Sequence, residues 1–193
     1  MSKYSPLNLI KQNAKCLKIA EGITLSAAQE SIAKAFRFNN FHELKKVAGQ
    51  PITDLRILEA AFGVHELEQA IWEDDLPSEL QDHLDEIMSS ETADTNAGNF
   101  SFRGLDIEEQ NYDESNGKLT LTGSLVYSGE QDQDRPYHGS EFYLDVEINL
   151  CRRENKWVFD EEDGVKILNL ETDRDRDHAQ EQTDLYNDYL ASL

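Results

Sequence analysis

The apolar positions change period once, near residue 100, and divide the chain into a helical part and a stranded part. Before that point they recur at spacings of three and four. Ser5-Pro6 reads as a helix start, with serine as cap and proline at the first helical position, where no amide hydrogen is needed. Leu7, Ile10, Ala14 and Leu17 form its stripe, and Gly22 ends it at about Glu21. Ser26 with Gln29 reads as a capping box, after which Ala28, Ile32, Ala35 and Phe36 share one face. Asn40 and Glu43 repeat the device ahead of a shorter helix carrying Phe41, Leu44 and Val47, which Gly49 and Pro51 stop. These three helices are expected to bury Leu7, Ile10, Leu17, Ile32, Phe36, Phe41 and Leu44 together.

Thr53 is read as the cap of a longer helix from Asp54 to about Asp74, with Leu55, Leu58, Phe62, Leu67, Ala70 and Ile71 as its apolar faces and a bend at Gly63. Leu76-Pro77-Ser78 breaks the chain. The next helix sets Leu80, Leu84, Ile87 and Met88 on one side and acids on the other. Ser89–Asn99 is small, polar and without period, so it reads as a loop.

From Phe100 the period is two. Phe100, Phe102 and Ile107 open a strand reaching Tyr112, and Asn116-Gly117 marks a type I′ hairpin turn. Leu119, Leu121, Gly123, Leu125 and Tyr127 then alternate, as do Phe142, Leu144, Val146, Ile148 and Leu150. Arg153–Asn155 turns the chain into Trp157 and Phe159, and Asp160–Gly164 turns it into Val165, Ile167 and Leu168. The last stretch ends on a helical stripe of Leu185, Tyr186, Tyr189, Leu190 and Leu193. A helix of that length needs a surface to dock on. The expected fold is α+β: a three-helix module at 1–50, a helical connector at 51–90, a linker at 91–99, and at 100–193 an acidic antiparallel sheet of four to five strands with one wet face and a C-terminal helix.

Charge sharpens this division. The net charge is −21, yet residues 1–50 hold eight Lys/Arg against three acids while the remainder holds ten against 36. A basic head on an acidic body implies either a polyanion partner for the head or mutual attraction of the two parts. Lys11, Lys15 and Lys18 share a helix face, and with Lys34, Arg37, Lys45 and Lys46 they are the candidate nucleic-acid contacts. Glu141, Asp145 and Glu147 alternate on the wet face of the sheet and are the candidate contacts to a protein partner. No run is apolar enough to span a membrane, and MSKYSPLNLI lacks the apolar core of a signal peptide. Cys16 and Cys151 have no framework spacing and read as reduced, partly buried thiols of a cytoplasmic protein.

The stretch AKCLKIAEGITLSAAQESIAKAFRFNNFHELKK resembles the small helical domain that accompanies some glyoxalase-superfamily proteins and several plasmid-borne proteins. The likeness rests on Ala14, Lys15, Leu17, Leu25, Ser26, Gln29, Ala33, Phe38, Asn40, Phe41 and Leu44. Arg37 stands where that pattern has glycine. The resemblance covers about a quarter of the chain. It implies a helical fold and a bacterial, mobile-element setting, and it carries no catalytic residue.

Motifs for chemistry are thin. Asp173, Asp175, Asp177, Glu181 and Asp184 follow a calcium-loop spacing, but the sixth position is His178 rather than glycine, and the twelfth is aspartate. His65-Glu66 begins like a zinc-protease helix, but Gln69 stands where its second histidine belongs. His138, in the loop between two alternating strands, is the candidate general base. No catalytic residue, metal or cofactor is assigned. The expectation is a non-enzymatic adaptor whose acidic body meets a protein partner, with nucleic-acid binding through the head as the alternative.

Overall fold

The computed structural model describes residues 2–50, 54–136, 139–153 and 155–191, and for 179 and 185–191 the backbone alone. The chain is α+β. Its helices are α1 (Pro6–Glu21), α2 (Leu25–Ala35), α3 (Phe41–Val47), α4 (Leu55–Phe62), α5 (Leu76–Ile87), α6 (Ser89–Ala93) and α7 (Asp173–Ala191). Its strands are β1 (Ala97–Asp113), β2 (Lys118–Gln131), β3 (Glu141–Arg153), β4 (Lys156–Phe159) and β5 (Val165–Thr172). The order is β1-β2-β3-β4, and β5 returns to pair with β3, so the sheet is antiparallel where its register is described but is not a simple meander. Among the described residues no helix is long and apolar enough to cross a membrane.

Two compact units form, each from three segments. The first comprises residues 1–76, 110–120 and 149–164; the second comprises 77–109, 121–148 and 165–193. The 91–99 stretch expected as a linker contains the end of α6 and the start of β1, and the unit boundaries fall at other places.

In the first unit α1 packs on α2 and α4, and α2 packs on α3. Leu7, Leu9, Ile10, Ala14, Ile32 and Leu44 are buried, whereas Leu17, Phe36 and Phe41 are half-buried and Ala35 is exposed. Phe38 takes the core position expected of Phe36 because the chain turns at Arg37, whose φ is 63°. That left-handed conformation favours glycine over a residue with a Cβ.

The caps correct several details. Thr24, not Ser26, caps α2 by accepting from the amide of Ala27 at 3.2 Å, because the helix begins at Leu25. Ser5 flanks α1, but its hydroxyl donates to the carbonyl of Ser2 instead of capping. Asn40 does cap α3, while Glu43 reaches back to the amide of Asn39 at 2.7 Å. α3 ends at Ala48 in a right-handed conformation, before Gly49; Pro51 lies outside the described residues. Thr53 lies outside them too, and Asp54 is the cap of α4. Gly63, at φ 83°, ends α4 outright instead of bending it, so the single long helix expected there is α4 followed by a short 3-10 helix at Leu67–Trp72. Leu55 is exposed.

The first unit's strands close on an aromatic cluster. Phe62 of α4 stacks on Trp157 with centroids 5.9 Å apart and meets Tyr112 edge-on at 4.9 Å. The hairpin at Asn116-Gly117 forms with a four-residue turn, not the two-residue type I′ turn, because only Gly117 is left-handed and its amide bonds Asp113 at 2.9 Å.

In the second unit α5 lies on the sheet. Leu80, Leu84 and Met88 are buried, and Ile87 is 40% exposed. Tyr127 donates to Asp85 at 2.5 Å, and Gln81 bridges the backbone of Phe100 and Phe102. Phe100 stacks on Tyr127 and tilts against Phe142. Ser89–Asn99, expected as a loop, contains α6 and the first residues of β1. In β5, Ile167 faces Val146 while Asn169 faces Asp145, so Leu168 is an extra, bulged residue and is 54% exposed. The side chains of Leu185, Tyr186, Tyr189 and Leu190, and the whole of Leu193, lie outside what is described.

Candidate functional site

Lys11, Lys15 and Lys18 lie on α1, Lys34 on α2, and Lys45 and Lys46 on α3. Lys11 and Lys15, one turn apart on α1, line a cavity of about 300 Å³ with Lys3 and Gln29. Lys18, Lys34, Arg37, Lys45 and Lys46 are exposed. Among the described residues, none of these seven lysines forms an ion pair. Two of the head's acids serve the backbone instead. Glu30 accepts from the amide of Phe41 at 3.3 Å, and Glu43 accepts from the amide and side chain of Asn39. Those Asn39 bonds hold the Glu43 carboxyl below its ordinary range. The structure brings Lys11 and Lys15 together at one cavity; Lys18, Lys34, Arg37, Lys45 and Lys46 are not among its lining residues.

The expected partner-binding carboxylates alternate along β3 in the second unit, and each is engaged. Glu141 pairs with Arg103 at 2.5 Å and accepts from the Tyr143 hydroxyl at 2.8 Å, a bond that, with burial, raises the phenol's pKa. Asp145 accepts from Asn169 at 3.2 Å, and Glu147 pairs with Lys166 at 3.5 Å. Arg176 lies 3.4 Å over the Tyr143 ring and pairs with Glu171. The uncompensated acids of this unit lie elsewhere. Asp82 and Glu86 on α5, and Asp106, Glu108 and Glu109 on the edge strand β1, are exposed and make no ion pair among the described residues. The unit holds five Lys/Arg against 22 Asp/Glu, and four of those bases already sit on a carboxylate.

The groups considered for chemistry are tied into the fold. Asp173 accepts from the amides of Ser140 and Glu141, and Asp175 from the amide and hydroxyl of Thr172, so the calcium-loop spacing starts a helix. Among the described residues no group of three His, Cys, Asp or Glu could hold a metal ion. Cys16 is exposed. Cys151 is buried and donates to Asp160 at 3.3 Å; burial and that carboxylate push its thiol up, which keeps it protonated and a poor nucleophile. His65 is exposed, and His138 lies outside the described residues.

Sequence reasoning passed over Arg152. It is only 5% exposed, lies 5.0 Å over the Trp157 ring, and among the described residues has no hydrogen-bond partner for Nε or Nη1. Burial lowers its pKa, and the charge of Glu73 opposes the shift. Comparison with protein-family models, curated proteins and solved structures found no match. Functional inference therefore rests on this chain's own geometry.

Proposed function

We propose that the chain is a non-enzymatic, cytoplasmic binding protein whose acidic unit contacts a basic protein partner. The observation that carries this reading is the unit's surplus of 22 acids over five bases, with four of those bases already paired. Mutual neutralisation of head and body would leave few free lysines, yet all seven of the head's have no carboxylate partner among the described residues. An unneutralised surface of one sign steers a partner of the other and excludes like-charged ones. Because Glu141, Asp145 and Glu147 are engaged within the sheet, the contact falls to Asp106, Glu108 and Glu109 on β1 and Asp82 and Glu86 on α5. The test is salt-sensitive capture by the full chain, with bound proteins identified by mass spectrometry. Reversal of Asp106, Glu108 and Glu109 to lysine is expected to abolish capture while leaving circular dichroism unchanged. An identical set of captured proteins would refute the assignment.

The free lysines support a second reading, nucleic-acid contact by the head. Phosphate neutralisation by three lysines contributes ~2.7 to the slope of log K against log salt. Reversal of Lys11, Lys15 and Lys18 to glutamate in the full chain should remove that much. An unchanged slope sinks the second reading and leaves the first intact.

A further inference from the structure

The cavity of about 300 Å³ lies within the first unit, bounded by the segment ahead of α1, by α1 and by the start of α2. Lys3, Lys11, Lys15, Gln12 and Gln29 are on its lining, and among the described residues no acid is. Lys3 belongs to a fixed segment. The Ser2 carbonyl accepts from the Ser5 amide at 3.3 Å and from Asn8 Nδ2 at 2.6 Å, and the Tyr4 carbonyl accepts from Tyr112 at 2.8 Å. The Lys3 ammonium lies 5.0 Å over the Tyr4 ring and donates to its hydroxyl at 3.4 Å, contacts that bring no counter-charge.

Lys11 and Lys15 stand four residues apart on α1, where like charges repel across one helical turn. Glu30, next in sequence to Gln29, is committed to the amide of Phe41 at 3.3 Å. A concave surface with three cations and no carboxylate concentrates positive potential, which an anion relieves. The kind of cation narrows the anion. A planar carboxylate is matched by the fork of an arginine, whereas the compact ammonium of lysine serves as a point charge for phosphate oxygens. A single phosphate carries ~1.5–2 negative charges, too few for three ammoniums, and two joined phosphates carry about three. Gln12 and Gln29 add side-chain amide donors for further oxygens.

We infer that this cavity binds a diphosphate group, free or carried by a nucleotide, through Lys3, Lys11 and Lys15. At ~30 Å³ for each water-sized group, the space accommodates roughly ten non-hydrogen atoms, the size of a diphosphate. The inference needs neither the acidic surface of the second unit nor a nucleic acid. Lys18, a candidate contact to nucleic acid, is not on the lining.

The test is calorimetric titration of the full chain with inorganic pyrophosphate in magnesium-free buffer at low salt, with inorganic phosphate, ADP and AMP as the other arms. Thermal unfolding gives a second readout. Pyrophosphate is expected to bind saturably with a dissociation constant below about 1 mM and to raise the melting temperature, while phosphate and AMP bind at least about tenfold more weakly. ADP matching pyrophosphate supports a nucleotide as the source, and ADP binding more weakly supports the free ion. Lys11→Gln with Lys15→Gln should weaken pyrophosphate at least about tenfold. Lys18→Gln with Lys34→Gln removes the same charge from outside the lining and should leave binding unchanged. Lys3→Gln, ahead of α1, should weaken it several-fold and keeps the test decisive if the paired change on α1 disturbs the helix. No saturable binding of pyrophosphate, equal affinity for phosphate, or undiminished binding in Lys3→Gln overturns the proposal. So does equal weakening by the Lys18 and Lys34 pair, which would assign the attraction to diffuse surface charge, or binding of DNA without binding of pyrophosphate.

Discussion

Gly117→Ala is the substitution whose cost follows most directly from the geometry. Gly117 closes the β1–β2 turn at φ 77°, and a Cβ built there lies 2.6 Å from Cδ1 and 2.7 Å from Cγ of Tyr4. Two penalties add. Leaving a non-glycine residue in the left-handed region costs about 1 kcal/mol. Displacing the ring adds ~1–3 kcal/mol, because forcing extra volume into a packed contact moves its neighbours. Tyr4 is held: its carbonyl accepts from Tyr112 at 2.8 Å, and the Gly117 carbonyl accepts from the Arg152 amide at 2.8 Å. The total is ~2–4 kcal/mol. Gly22→Ala isolates the first penalty, since Gly22 has φ 67° and none of the described residues comes within 4 Å of the added carbon. Urea unfolding followed by tryptophan fluorescence reads both, as Trp72 and Trp157 belong to the unit containing Gly22 and Gly117. Tyr4→Ala in the Gly117→Ala background should recover ~1–3 kcal/mol, the coupling expected of residues in direct contact. A cost no larger than that of Gly22→Ala, or no recovery in the double variant, would refute the reasoning.

Arg37→Gly should raise stability by about 0.5–1 kcal/mol, because φ 63° strains arginine and suits glycine; a lowered urea midpoint would contradict this. Tyr127→Phe should cost about 1–2 kcal/mol by removing the 2.5 Å bond to Asp85, and unchanged chemical denaturation would discount that bond. Tyr112 and Tyr127 have phenols raised above the ordinary value, mainly by burial, so their contribution is whole below about pH 10 and lost as pH rises further. Alkaline unfolding should therefore be less steep in Tyr127→Phe than in the parent chain. Asp54→Ala, which removes the acceptor of the Arg56 amide at the start of α4, should lower stability by about 1 kcal/mol, and a neutral melting curve would count against the cap.

Elements with strong period were legible. Leu119, Leu121, Leu125 and Tyr127 are buried as their alternation requires, and Pro6–Glu21 begins and ends as its proline and glycine dictate. Errors cluster where two local devices compete. Thr24 and Ser26 both offer a cap, and the helix takes the earlier one because Leu25 then begins its first turn. Gly63 could bend a helix or end one, and a φ of 83° ends it. The return of β5 to β3 was not readable, because hairpin signals specify consecutive pairing and say nothing of a strand that comes back to an earlier neighbour.

The candidate sites divide along the same line between local and tertiary information. Composition located the basic head, but which charges remain free depends on partners distant in sequence: Lys166 reaches Glu147 and Arg103 reaches Glu141. Arg152 was within reach of the pattern itself. Phe142, Leu144, Val146, Ile148 and Leu150 occupy the core-facing positions of β3, and one further step of two arrives at Arg152. Stopping the alternation at Leu150 left Arg152 unassigned, one residue short of the turn read at Arg153–Asn155. The strand instead continues to Arg153, where register sets Arg152 opposite Trp157 and in the aromatic cluster of Phe62. A periodic core position filled by a charge contradicts the pattern around it, and such local conflicts mark the places where stability has been given up for something else.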